Sequence, residues 1–461
     1  MNTVISIIGL FLALFLLIYL VFKGQSVIII APIVAVVAII FSAGMDAHLM
    51  AEYTEVYMTG FANYARSYFP LYLFGAVFAK VMEVTGYANA IANLIAKKLG
   101  KDKVVLAVVL CCAILTYGGV SLFVVTFVVL PIAVSLFKEA DIPKRLIPGS
   151  IALGAFTFTM TAMPGSPQVQ NTIPMSYFGT DAFAAPVLGL IASVFMFTCG
   201  MLWLNFRVRQ AKNKGEGYGD HEDEIMGMSE NLPGVIHPII AFCVIVAVNL
   251  LCSKVIYPSI DSSYLADYNT TLGAVSGNWS VLIALLAATL YLIVVSLPRL
   301  KNLKEDLKIA AGNSLMPLVN SCAVVGFGSV IKGLAIFGIV QAFILSISAN
   351  PLVSELLAVN LLCGMTASSS GGLGATLEAL APTFIEQGAK IGIGPEVLHR
   401  VASIASGGLD SLPHNGATVT TLSLCKISHK QGYLDMFVNS VLIPIFAGIL
   451  VVVLASLGIR C

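Results

Sequence analysis

Charged residues are what this chain has least of. They make up 11% of its 461 residues, while 58% are hydrophobic. A soluble domain usually carries about 25% charged residues, so an ordinary water-exposed globule is excluded and a lipid bilayer is the expected surrounding. Net charge at neutral pH is only +1, which leaves no basic footprint for a nucleic acid. Cysteine has no pattern: Cys111, Cys112, Cys199, Cys243, Cys252, Cys322, Cys363, Cys425 and Cys461 fall mostly inside apolar runs, without a CxxC spacing. They are expected to be small buried hydrophobes rather than metal ligands or disulfides. No HExxH or GxSxG occurs, and "GGLGAT" (371–376) misses GxGxxG inside an apolar run. Those absences remove the signatures of a metalloprotease, a serine hydrolase and a dinucleotide-binding enzyme. No metal, no cofactor and no enzymatic activity are expected.

What the chain does have is long apolar runs, several near the roughly 20 residues that span a bilayer core. The first, "MNTVISIIGLFLALFLLIYLVFKGQ", lacks a basic start and a small-residue cleavage site. It reads as a retained span rather than a signal peptide. Lysine and arginine cluster in "KKLGKDK" (97–103), "KEADIPKR" (138–145), "RVRQAKNK" (207–214), "RLKNLKEDLK" (299–308) and "KISHK" (426–430). Residues 42–64 contain none, and 252–278 contain only Lys254. Short basic loops stay cytoplasmic, so the first set is expected inside and the second outside. The reading is a multi-pass protein of the cell (inner) membrane with an extracytoplasmic N-terminus. Trp203 and Trp279 sit at span ends, as interfacial aromatics do. The polar segment 210–234 reads as a cytoplasmic linker, its "GDHEDE" as solvated rather than metal-binding.

Residues 104–137 are apolar, yet both flanking loops are basic. Two crossings of about 17 residues each are barely long enough. A re-entrant hairpin turning at Gly118–Gly119 is favoured, and its backbone must be buried in protein or line a cavity. The chain also resembles itself: "FG" at 74 and 327, "GGVSLF" at 118 and "GGLGAT" at 371, "IALG" at 151 and "IASG" at 404. Pro131, Pro143 and Pro164 find counterparts in Pro382, Pro395 and Pro413. The charge map gives the copies opposite directions, an inverted repeat of the kind secondary transporters use. The polar stretches "PGSPQVQNT" (164–172) and "DSLPHNGAT" (410–418) then read as unwound centres of two broken helices. Prolines break the hydrogen-bond ladder, and the half-helix N-termini beyond each break suit a carboxylate.

"LPIAVSLFKEADIP" (130–143) and "IALGAFTFTMTAMPGSPQVQNTIPMSYFGT" (151–180) resemble the gluconate permease (GntP) family of proton symporters. The resemblance implies a homodimer that moves a small hydroxycarboxylate anion with protons, by an elevator-like motion of the hairpin-containing domain. Gluconate members carry an acidic residue near the first hairpin tip. Here Phe123 falls there, beside the neutral tip "YGGVS" (117–121), so a shorter acid such as 3-hydroxybutyrate competes with a sugar acid. The fold expected is an all-α polytopic membrane protein. It comprises N-terminal scaffold spans (1–65) and a first repeat (66–204, hairpin 104–137, break 164–172). A cytoplasmic linker (205–234) and scaffold spans (235–308, outer loop 252–278) follow, then a second repeat (309–461, hairpin 354–385, break 410–418).

Candidate substrate-binding residues are Gly118, Gly119 and Ser121 at the first tip, and Ser370, Gly371 and Gly372 at the second. Ser166, Gln168, Asn171 and Thr172 come from the first break, and Asn415 and Thr418 from the second. Ionisable residues inside spans are costly and so are functional candidates. Asp410, His414 and Glu378 are the proton-coupling candidates, whereas Lys80, Glu83 and Lys332 read as structural. A cation/proton antiporter or another carboxylate exchanger is the alternative function. Paired intramembrane carboxylates would mark an antiporter, but the counterpart of Asp410 is the neutral Thr161.

Overall fold

The computed structural model describes residues 3–23, 25–43, 48–100, 103–120, 122–221, 232–334, 337–348, 350–413 and 415–461. Among these residues every regular element is helical. In chain order they are α1 (Thr3–Phe22), α2 (Val27–Ala43), α3 (Leu49–Val84), α4 (Tyr87–Leu99), α5 (Val104–Tyr117) and α6 (Leu122–Glu139). Next come α7 (Ile147–Ala155), the single turn α8 (Phe158–Thr161), α9 (Val169–Phe178), α10 (Pro186–Asn213), α11 (Ile236–Ser259) and α12 (Leu272–Val295). The chain ends with α13 (Leu303–Gly333), α14 (Phe337–Ser346), α15 (Pro351–Thr366), α16 (Ser369–Lys390), α17 (Pro395–Ala405), α18 (Gly416–Leu424) and α19 (His429–Ser456).

Five of these, α10, α11, α12, α13 and α19, are long and apolar enough to cross a bilayer. Helices α3 and α4 form a further pair bent by 64°. Large side chains on the outer faces, such as Val194, Leu202, Leu290, Val294 and Phe446, are exposed. That surface suits lipid, where an apolar exterior carries no penalty. Helix α3 packs lengthwise on α13 and also meets α12, while α2 packs on α13 from the side and carries α1. The other helices close around one continuous core that runs from Tyr64 to Ala455.

Two helix pairs turn back on themselves. Helix α5, with 14 residues, is about 21 Å long, short of a bilayer core of about 30 Å. It packs on α6, and Gly119 makes the turn with φ of 90°, a conformation that costs glycine little. Helices α15 and α16 form the second pair, turning at Ala367 and Ser368. Its arms cross closely because position 372 has no side chain: a Cβ there would lie 2.5 Å from Cys363 Cα. The second turn is tighter than the sequence implies. Ser368 accepts the Gly371 N–H at 3.1 Å and caps the helix, so 369–372 form the first turn of α16 rather than an open tip.

The breaks also fall slightly earlier than 164–172 and 410–418. Beyond Pro167 no proline opposes the helix until Pro174, so α9 starts at Val169 and takes Asn171 and Thr172 into its first turn. Asn415 caps α18 in the same way, its Oδ1 accepting from the Ala417 and Thr418 N–H groups at 2.7 and 3.0 Å.

A buried acid joins the basic ends of several helices. Asp435 accepts from Arg145 Nη1 at 3.3 Å, Arg207 Nη2 at 3.4 Å and Trp203 Nε1 at 3.1 Å. Arg145 also grips Glu216 through Nε and Nη2, at 2.6 and 2.8 Å, which docks the start of the linker. Those hydrogen bonds hold the Glu216 carboxyl below its ordinary value. A lowered folded-state pKa adds stability above the unfolded value, and that stability fades as pH falls through the lowered one. The thermal midpoint of the wild type is expected to exceed that of Glu216→Gln at about pH 7, and the two to converge near about pH 3. A gap independent of pH would contradict the pairing. Gly372→Val forces the hairpin arms apart, and overpacking of this kind costs about 1–3 kcal/mol. It should lower the unfolding temperature in detergent by several degrees.

Candidate functional site

A cavity of about 1360 Å³ opens where the two hairpin tips and the two breaks meet. Gly119 and Leu122 come from the first tip, Pro167 to Gln170 from the first break, Thr366 to Ser370 from the second tip, and Asp410 and Asn415 from the second break. Tyr72 on α3 and Asn320 on α13 close it from the scaffold side.

Side-chain amides fasten these segments together. Gln168 Nε2 donates to Thr116 O at 2.7 Å, which ties the first break to the first hairpin. Gln170 Nε2 donates to Ser369 Oγ at 2.7 Å, tying α9 to the second hairpin. Asn415 Nδ2 donates to Ala367 O at 2.8 Å, tying the second break to the second tip. Ser370 and Ser321 share a hydrogen bond of 2.9 Å, and Tyr72 reaches Ser321 at 3.3 Å. The Ser411 hydroxyl donates to Asp410 Oδ1 at 3.1 Å.

The N-termini of α9, α16 and α18 all border this space. The first N–H groups of a helix lack intrahelical acceptors and carry the positive end of its dipole. An anion is therefore met by backbone N–H groups, serine hydroxyls and amide groups rather than by a cationic side chain. Lys80 borders the cavity but stands 3.1 Å from Glu83, as an internal pair of α3. Among the described residues no group of three or more His, Cys, Asp or Glu gathers to hold a metal.

Of the residues singled out in the sequence, Gly119, Gln168, Ser370, Asp410 and Asn415 line the cavity. Ser121 and His414 lie outside the described residues. The rest serve elsewhere. Gly118 leaves room for the Phe242 ring, Gly371 packs on Val324, and Gly372 makes the hairpin crossing. These three glycines thus admit protein, not ligand. Ser166 Oγ donates to Thr159 O at 2.8 Å, Thr172 Oγ1 to Val169 O at 3.3 Å and Thr418 Oγ1 to Ser411 O at 3.4 Å, each capping nearby backbone. Glu378 faces Lys332 at 3.6 Å and accepts from Tyr177 at 3.4 Å, away from the cavity lining.

Asn171 is placed behind the cavity rather than on its wall. It is fully buried and does not line the cavity. Its Nδ2 donates to Ser166 O and Ala182 O, both at 2.9 Å, and its Oδ1 accepts from Arg400 Nη1 at 3.0 Å. Arg400, 0% exposed, gives its other donors to Ala162 O at 3.1 Å and twice to Ala184 O, at 3.0 and 2.7 Å. His399 beside it bonds Thr180 Oγ1 at 2.6 Å. Together they satisfy the carbonyls that the first break exposes. Sequence reasoning missed Arg400 because it follows the turn "GIGPE" and looks like a loop cation. Tyr72, Gln170, Ser368 and Ser369 were missed too, although the run "SSSGG" was the signal for the serines.

Asn171→Ala leaves buried donors and acceptors unpaired, at about 1–3 kcal/mol each. It is expected to lower the unfolding temperature while leaving ligand affinity of the folded fraction within twofold of wild type. A normal unfolding temperature with weakened affinity would return Asn171 to the binding surface.

A polar cavity between paired hairpins and interrupted helices, inside an apolar multi-pass helical body, defines a membrane transporter rather than an enzyme. Residues 4–382 match the GntP family permeases, and the chain belongs to that family. It is 40% identical over 444 residues to an uncharacterized transporter of Bacillus subtilis, YxjC, covering 92% of this chain and 94% of the relative. A high-affinity gluconate transporter of Escherichia coli is 29% identical over 196 residues, 42% of this chain and 41% of that protein. Among solved structures, the YdaH transporter of Alcanivorax borkumensis, described as having an unusual topology, shares the fold. Its TM-score is 0.61 over 90% of both chains, at 16% identity.

Proposed function

We propose that this permease imports a small hydroxycarboxylate together with protons, as a homodimer in the cell membrane. The observation that carries the reading is the convergence of three helix N-termini and neutral donors on one cavity. Such a site holds a carboxylate by dipoles and hydrogen bonds, and its hydroxyls and amides suit the alcohol of a hydroxy acid. Family membership and the partial match to a gluconate transporter support a substrate of this class. The neutral first tip favours a short acid such as 3-hydroxybutyrate beside the gluconate type.

Two acids line the cavity: Glu83 is paired with Lys80, and Asp410 stands among the tips and breaks with the Ser411 hydroxyl on its carboxyl. Two negative charges in one desolvated space repel, so substrate and proton enter together, with Asp410 carrying the proton and Ser411 orienting its carboxyl. Release of the substrate to the cytoplasm lets the proton follow. The distribution of basic loops supports a first hairpin entering from the cytoplasm and a second from outside, an arrangement that would give each face of the membrane its own gate. An antiporter is disfavoured, because Glu83 is already paired with Lys80 and the remaining carboxylate, Asp410, among neutral donors is a poor cation site.

Uptake of gluconate, 3-hydroxybutyrate and related acids into proteoliposomes under an imposed pH gradient tests the reading. At least one hydroxy acid is expected to accumulate. Asp410→Asn should abolish accumulation but keep counterflow, and Asn415→Ala should raise KM about tenfold, near the 1.4 kcal/mol of one hydrogen bond. Accumulation by Asp410→Asn with wild-type pH dependence would remove Asp410 from the coupling. No uptake of any hydroxy acid by the folded wild type would defeat the substrate class.

A further inference from the structure

One buried acid is used by none of this. Glu355 lies on α15, the first arm of the second hairpin, and is 0% exposed. Neither of its carboxyl oxygens has a hydrogen-bond partner among the described residues, and the hydroxyl of its neighbour Ser354 is equally buried and unpartnered. Glu355 does not line the cavity. It stands five residues before Asn360, about 7.5 Å along the helix. Asn360 joins α15 to the turn that bears Asp410: its Oδ1 accepts the Leu409 N–H at 3.2 Å while its Nδ2 donates to Leu356 O at 2.9 Å. Glu355 therefore shares the helix that is linked to the second break, on a face turned about 140° from Asn360, without belonging to the substrate site.

The charged groups on the elements packed against α15 are committed elsewhere. On α16, Glu378 faces Lys332 and Glu386 pairs with Lys390. On α17, Arg400 holds backbone carbonyls and Asn171, His399 bonds Thr180, and Glu396 is exposed. Asp410 bonds Ser411, and on α19 Asp435 pairs with Arg145 and Lys430 is exposed. An ionised carboxylate at Glu355 would be a buried charge without a donor or counter-ion, a burden of several kcal/mol. The neutral acid fits the site as it stands. A hard metal cation takes about six oxygen ligands, more than two carboxyl oxygens and one hydroxyl provide, whereas a proton needs one.

We infer that Glu355 is a second proton-binding site, separate from the substrate cavity. It holds a proton while the second hairpin is packed as here and releases it when hairpin movement lets water reach the carboxyl. The inference rests on the transport reading for its purpose, since Asn360 links this helix to the break that carries Asp410. Coupling would then involve two acids, one facing substrate and one sensing the position of the hairpin.

The test reconstitutes full-length wild type, Glu355→Gln, Glu355→Asp and Asp410→Asn into proteoliposomes, with 3-hydroxybutyrate and gluconate as probes. Counterflow by Glu355→Gln is expected within twofold of wild type, with accumulation under an inward proton gradient reduced at least tenfold. Glu355→Asp, which keeps an acid, should still accumulate. Accumulation by Glu355→Gln equal to wild type overturns the proposal and leaves the transport reading standing. Uptake driven by sodium but not by protons, and lost in Glu355→Gln, also overturns it. Infrared pH-difference spectra probe Glu355 without any substrate. A protonated-carboxyl band that shifts in Glu355→Asp and disappears on alkalinisation is expected, even if Glu355→Gln fails to fold. Absence of such a titrating band overturns the proposal. Absence of wild-type counterflow with every acid defeats the transport reading alone.

Discussion

A helix interrupted inside a membrane protein must find partners for the carbonyls and N–H groups it frees, because lipid offers none. The rest of this structure depends on that constraint. At the first break Arg400 and Asn171 bind Ala162 O, Ala184 O, Ser166 O and Ala182 O. Tyr117 adds a hydrogen bond to Pro164 O at 2.9 Å. At the second break Asn360 accepts from Leu409 N–H, Asn415 caps α18, and Tyr433 donates to Ser411 O at 3.1 Å. With the carbonyls claimed from behind, the helix N-termini are left to face the cavity. In the transport reading, an anion-binding surface follows from satisfying the opposite ends.

The two breaks solve the problem with different residues. Each break is followed by an asparagine, yet Asn171 is a buried clamp and Asn415 an N-cap on the cavity wall. The difference follows from Arg400, which only the first break receives. A guanidinium with five donors can serve several carbonyls at once. It also leaves a positive charge buried in the protein with no carboxylate bonded to it among the described residues. Burying that charge is tolerable because four hydrogen bonds direct its donors at oxygens, three bonds to the backbone oxygens of Ala162 and Ala184 and one to Asn171.

The all-helical character was legible in composition, and the interruptions in the prolines and polar clusters set into apolar runs. The meeting of four distant segments at one cavity follows the motifs the sequence repeats. Which side chains face that cavity was not legible. Asn171, Thr172 and Thr418 sit in first turns, where each residue rotates the side chain by about 100°, and the helices start about three to four residues before where composition alone suggested. Glycines misled for a related reason: at 118, 371 and 372 the missing Cβ makes room for Phe242, Val324 and Cys363, and sequence cannot say whether protein or ligand uses the space. Glu355 in "NPLVSELLAV" resembles a helix-end acid, and only its burial sets it apart.

The polar links have a direction that bears on movement. Gln168 joins the first break to the first hairpin, Gln170 joins α9 to the second hairpin, and Asn360 and Asn415 join the second hairpin to the second break. Arg400 joins α17 to the first break. These bonds bind the pieces of the cavity wall to one another. Toward the scaffold helices α3 and α13 the polar contacts are a few hydroxyls, such as Tyr68 to Ile173 O at 2.8 Å and the Ser321–Ser370 pair, and the half-exposed Lys332–Glu378 ion pair at 3.6 Å. Apolar surfaces slide past one another without stranding donors, while a network of buried hydrogen bonds resists shear because each broken bond leaves an unsatisfied group. In the transport reading, a substrate held among these segments therefore moves with them as one body across α3 and α13, and its binding groups need not rearrange on the way.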